Sequence, residues 1–329
     1  MTAAAWRYPQ AAVRALARGW HLLWFQPAPA LDLAVARVGC FWWLARHYDG
    51  FSFDGHYTLY QGGGLWQPVS AFAHGLPVFE LGTLNAGLVV WHIALGSSAL
   101  GLMTRVAIPL SALGLFYVAG FIQNFGKYTG GGIDAIVLLV AGLALSRAGD
   151  YLSVDSAWRA LREGHRGRRW LTAWLAPPAP SSEYAWPIRV AWLLLFSIYF
   201  TAGVSKLTAS GFGWGLGDNM RNLLIRHHYS HEPWNDVGLW IAERPLLYQA
   251  LGMSTLILEV FCPLGLFNRW LRYAFGIGLL SAQLGIWLLL GIRFAPVQVF
   301  VFFMVPWHAL LSAVAAALRR VAARAAQLR

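Results

Sequence analysis

The chain has 329 residues, 58% of them hydrophobic and 12% charged, with 18 tryptophans and a formal charge of +11. Soluble domains carry about 25% charged residues, so a soluble globular class is excluded. The positive charge does not mark a nucleic-acid partner, because the basic residues stand in short loops and tails between apolar stretches, the positive-inside pattern of a membrane protein.

Residues 1–25 are broken by Arg7, Arg14 and Arg18, and no clean apolar core precedes a small-residue cleavage site, so no cleavable signal peptide is expected. At helical spacing Val13, Leu16, Trp20 and Trp24 share one face and the three arginines another. This predicts an N-terminal interfacial amphipathic helix within 1–28. Eight apolar stretches near the spanning length of about 20 residues follow. They run over 31–49, 84–102, 106–125, 132–148, 187–207, 247–267, 270–290 and 295–316. The fold class is therefore all-α, a polytopic membrane helix bundle of about eight transmembrane helices. It reads as a single transmembrane domain, with spans one to four in 31–148 and spans five to eight in 187–316. A linker over 149–186, with the Pro-rich stretch 176–180, and a basic tail over 317–329 complete it.

Charge sets the orientation. The linker holds Arg159, Arg162, Arg166, Arg168 and Arg169, and the tail holds Arg319, Arg320, Arg324 and Arg329. Eight crossings place both regions, the N-terminus, Arg105, Arg269 and Arg272 on one side, which the positive-inside rule makes cytoplasmic. Both termini are then cytoplasmic.

Lys206 stands out. It is one of two lysines, the other 23 basic residues being arginine, and it closes the fifth span in Tyr199-Phe-Thr-Ala-Gly-Val-Ser-Lys206. A charge at a helix centre in the membrane costs about 2.5–3.5 kcal/mol on translocon scales. Near a helix end lysine can snorkel to water, so an interfacial anchor is one reading. Lysine, unlike arginine, can also lose its proton in a dry pocket and act as a base. Polar residues inside other spans include Arg37, His92, Glu259, Gln283, Gln298 and His308. Such residues face a bundle interior or cavity and often pair, and Glu259 is a candidate partner for Lys206 or Arg37.

The segment 208–246 is long for a plain connector. Its Ser210-Gly-Phe-Gly-Trp214-Gly-Leu-Gly run lets the backbone turn sharply, and Asp218 or Asn219 suits the cap of a helix over 220–228. His227, His228 and His231 follow, but only Glu232 stands by to complete a ligand set, so no metal site is assigned. Cys40 and Cys262 both fall within spans, which argues against a structural disulfide.

Three stretches resemble, in order, those of the HTTM (horizontally transferred transmembrane) family, which includes vitamin K-dependent gamma-carboxylase. They are Leu100-Gly-Leu-Met-Thr-Arg105, Asp150-Tyr-Leu-Ser-Val-Asp155, and Tyr199 to Leu207 followed by Trp214. A weaker match covers Ser281-Ala-Gln283-Leu284. The resemblance implies a lysine at Lys206 that acts as a base on a reduced quinone, with Trp214, Asn219, Glu259 and Gln283 as candidate cofactor-binding residues. The chain departs from the carboxylase at Ser205, where the family has a second lysine, and at Gly131-Gly132-Ile133-Asp134, which lacks histidine. It also ends about 13 residues after the eighth span, without the lumenal domain that handles a protein substrate, which argues against propeptide-guided glutamate carboxylation.

Two readings follow. One is a quinol-linked membrane enzyme that modifies a peptide or small molecule at the extracytoplasmic side, with Lys206 as base. The other is a non-catalytic membrane subunit or maturation factor for a partner protein or exported peptide. The implied partners are membrane lipids, a lipophilic quinone and a peptide or protein. The implied location is the bacterial inner membrane. A base at Lys206 requires apolar surroundings without a close carboxylate, whereas a structural pair requires Glu259 in contact.

Overall fold

The structure is a computed structural model that describes residues 14, 18–63, 66–67, 75–125, 131–231, 235–292 and 294–327. Every regular element among these is helical, apart from two isolated backbone bridges, Ala28 with Ser181 and Gln67 with Phe125. Residues 18–25 form α1; the rest of the expected interfacial helix, residues 1–13 and 15–17, lies outside the described residues.

The helices form two compact units, 1–191 with 299–329, and 192–298. The boundary falls inside a helix, Ser182–Ser210 (α9), rather than at the Pro-rich linker, because 29 residues run on there without a break.

In the first unit, α2 (Ala30–His47), α3 (Asp54–Gln61), α4 (Leu81–Leu100), α5 (Thr104–Gln123) and α6 (Gly131–Ala144) come first. α2 packs on α4, α4 on α5 and α5 on α6. Leu33, Cys40, Phe41, Leu95, Leu115 and Ile136 fill the core. α7 (Val154–Arg162) and α8 (Arg168–Leu175) pack together within the linker.

Two of the motif stretches meet in this unit. α4 ends at Gly101, whose φ of +72° favours glycine. A Cβ there would lie 2.9 Å from Ser153 Cα and 3.1 Å from Arg37 Cζ. Arg37 is fully buried, and its guanidinium donates to the carbonyls of Ala148 (2.6 Å), Tyr151 (3.4 Å) and Leu152 (2.7 Å). Asp155 accepts from the backbone N–H groups of Met103 and Thr104 and from the Thr104 hydroxyl, at 2.8, 2.8 and 2.7 Å. It thus satisfies donors at the start of α5 that no intrahelical partner reaches. Desolvation works to raise the Asp155 pKa. The Thr104 and Met103 hydrogen bonds and the Arg159 charge outweigh it and hold the carboxyl below its ordinary value of 3.8.

In the second unit the far half of α9 is followed by α10 (Gly213–Leu216), α11 (Asn219–His231), α12 (Val237–Ala242) and α13 (Pro245–Phe261). A 3₁₀ turn over Cys262–Leu266 leads to α14 (Arg269–Leu290) and then α15 (Ala295–Gln298). The chain returns to the first unit with α16 (Val301–Met304) and α17 (Trp307–Gln327), both packed on α2.

Among the described residues, five stretches are long and apolar enough to cross a membrane: Leu81–Leu100, Thr104–Gln123, Ser182–Ser210, Pro245–Leu266 and Arg269–Leu290. Much of their apolar surface is uncovered; the best window of α14 is only 17% buried. Such surface needs lipid to cover it. The other three expected spans have identifiable departures. α2 carries Asp32, Arg37 and Arg46, and α6 has 14 residues. The expected eighth span breaks at Val305 and Pro306; counting its two parts as one span gives six.

Candidate functional site

Phe196, Tyr199, Gly203 and Lys206 recur on α9 at helical spacing and share a face. Gly203 sits against α13. A Cβ there would lie 2.9 Å from Glu259 Cβ, 3.0 Å from Val260 Cγ2 and 3.0 Å from Val260 N. Small residues permit such close helix approach in membranes. The approach delivers Glu259 to Lys206, one turn further along α9. Lys206 Nζ lies 2.6 Å from Oε1 and 2.5 Å from Oε2, with the side chains 23% and 10% exposed.

The Trp214 ring covers the pair, its centroid 4.9 Å from Lys206 Nζ, a cation–π distance. A second glycine contact places it. A Cβ on Gly252 of α13 would lie 2.8 Å from the Gly215 carbonyl oxygen, and one on Gly215 would lie 2.6 Å from Met253 Sδ. Gln249 donates to the Leu216 carbonyl, and the Tyr248 hydroxyl to Asp218 Oδ1, each at 2.7 Å. The segment 208–246 thus folds onto α13. Met220 and Leu224 join Ala242, Tyr248 and Leu290 in its core. Asp218 precedes α11, but its carboxylate holds Tyr248.

The candidate residues divide. Lys206, Glu259 and Trp214 come together. Asn219 is exposed and donates to the Trp214 carbonyl at 3.5 Å, supporting the backbone rather than reaching the pair. Gln283 donates to the Tyr199 hydroxyl at 2.6 Å. Tyr199 lies two turns, about 10 Å, from Lys206 along α9. Sequence reasoning did not single out Gly203, Gly215, Gly252 or Tyr199 as site residues. The signal was glycine inside apolar helices, where it weakens the helix unless close packing requires it.

The requirement that a base at Lys206 lack a close carboxylate is not met. Both Glu259 oxygens contact Nζ and Trp214 lies over it. To act as a base, the Lys206 ammonium would first have to lose its proton, and with it the charge-assisted contact to Glu259. Cys262, three residues from Glu259, is buried and free, and its thiol donates to the Glu259 carbonyl at 3.2 Å. Among the described residues no group of His, Cys, Asp and Glu is arranged to hold a metal. His228 lies 3.6 Å from Asp236, and the His231 side chain is outside the described residues.

Compared with known proteins, the chain matches no protein-family model, no curated protein and no solved structure.

Proposed function

We propose that this integral membrane protein is a non-catalytic membrane subunit or maturation factor, in which Lys206–Glu259 ties α9 to α13 and holds α10 in place through Trp214. The observation that carries this reading is the contact of both Glu259 oxygens with Lys206 Nζ at 2.5–2.6 Å beneath an aromatic ring. We further propose eight crossings with both termini cytoplasmic, in the inner membrane of a bacterium. α2 can count as a crossing because its charges are engaged. Arg37 binds carbonyls, Asp32 accepts from His308 N at 2.7 Å, and Arg46 pairs with Asp49 at 2.8 Å.

The second reading is the quinol-linked enzyme implied by the HTTM resemblance. It is favoured by the 23% exposure of the Lys206 side chain. A proton moved along the hydrogen bond leaves an amine beside a carboxylic acid. In this reading Lys206 would serve as the base, with Glu259 holding the displaced proton, and a bound reduced quinone would supply the acidic hydroxyl. Extraction and mass spectrometry of protein purified without added ligand separates the readings. The non-catalytic reading expects no stoichiometric quinone. A quinone held at one per chain and lost in Lys206→Arg, a variant the structural pairing expects to stay folded, would favour the enzyme reading instead.

A further inference from the structure

Pro263 interrupts the helical chain after α13, and the turn Cys262–Leu266 leaves a cavity of about 350 Å³ beside α9. That is within the about 300–1,000 Å³ of ligand sites. Leu193, Phe196, Ser197 and Phe200 of α9 line one wall, and Val260, Pro263 and Leu264 the other. Phe200, Phe261 and Leu264 are each 40% or more exposed, so the cavity opens outward.

One end is basic. Arg272 donates to the carbonyls of Gly265 and Leu266 at 3.1 Å each, which fixes its guanidinium at the Leu266 end of the cavity. The guanidinium carbon lies 5.7 Å from the Trp192 ring centre. These bonds use part of a five-donor fork; the remaining N–H groups suit a phosphate. Arg269 is exposed one turn earlier, over Trp270 at 4.9 Å. The exposed Trp270 and Phe267 mark this level as an aromatic interface. From residue 260 to the end of the sequence there is no Asp or Glu. No carboxylate side chain in that stretch competes with an anion for Arg272 or Arg269.

We propose that the cavity binds one anionic phospholipid, with an acyl chain along α9 and the phosphate against Arg272, assisted by Arg269. Neither account of Lys206 is needed for this site. The test uses the full chain in detergent, titrated with phosphatidylglycerol or phosphatidylcholine of identical chains, with native mass spectrometry counting bound lipid. The wild type should retain phosphatidylglycerol in preference. Arg272→Gln should bind it about fivefold more weakly, the worth of one basic residue at a membrane surface. Arg269→Gln gives the same readout without disturbing the carbonyl bonds of Arg272. Ser197→Phe, which fills the cavity, should lose both lipids, while Arg105→Gln should bind as the wild type does. Equal retention of the two lipids by the wild type would overturn the proposal, as would unchanged phosphatidylglycerol binding in Arg269→Gln and Ser197→Phe. An isoprenoid quinone that co-purifies with the wild type and is lost in Ser197→Phe would also overturn it.

Discussion

Gly203→Ala tests whether the approach of α13 to α9 sets the site. The added methyl would meet Glu259 Cβ at 2.9 Å and Val260 Cγ2 and N at 3.0 Å. Ordinary carbon contacts lie at about 3.5–4.0 Å, so the helices must separate by about half an ångström to an ångström. Two of these atoms are fixed to the α13 backbone and cannot swing aside. Overpacking of this kind costs about 1–3 kcal/mol. Replacing glycine by alanine inside a helix returns up to about 1 kcal/mol. The net expectation is a loss of about 1–2 kcal/mol, read by tryptophan fluorescence during denaturation in detergent. Gly285→Ala on α14 is the matched control, because a Cβ there meets nothing within 4 Å. It should leave stability unchanged or raise it slightly. Equal stability of the two variants would refute the argument.

At Gly101, a left-handed φ of +72° coincides with crowding by Ser153 and Arg37. Gly101→Ala should cost about 2–4 kcal/mol, combining left-handed strain and overpacking. Gly50→Ala, at φ +75° in open space, should cost about 1–2 kcal/mol in the same assay. Asp155→Asn should destabilise the first unit near neutral pH. Because the folded Asp155 pKa lies below 3.8, its contribution is full above that value and disappears as pH falls through the lower folded value. The stability gap between wild type and Asp155→Asn should therefore close in acid; a gap independent of pH would remove Asp155 from the account. Reporter fusions at residues 165 and 235 should report cytoplasmic and extracytoplasmic sides respectively, and the same side for both would sink the eight-span topology.

The membrane class and five helices long and apolar enough to span were legible because long apolar runs need no tertiary information. α2 and α6 resist the same reading. The charges of α2 are engaged by hydrogen bonds and one ion pair within its own unit, and α6 has 14 described residues in helix. The eighth span reads as continuous over 295–316, but Pro306 lacks an N–H and stops the helix. The importance of Lys206 and Glu259 was visible from their depth in apolar runs. Their contact was one of two pairings the sequence left open, because Arg37 was an equal candidate until its loop carbonyls were located. Gly203 could not be weighted, since the close approach it permits depends on a helix more than fifty residues away. The site role of Trp214 depends likewise on the seat of Gly215 on Gly252.

A double-mutant cycle on Lys206 and Glu259 tests the central claim most directly, with stability in detergent measured for the wild type, Lys206→Ala, Glu259→Ala and the double variant. Breaking a buried pair costs about 3–5 kcal/mol; with Lys206 23% exposed, about 2–3 kcal/mol is expected for each single variant. The account predicts that the double variant loses far less than the sum, and that Lys206→Arg keeps most of the wild-type stability. Lys206→Ala as stable as the wild type, with coupling below about 0.5 kcal/mol, would contradict it and leave Lys206 free for chemistry.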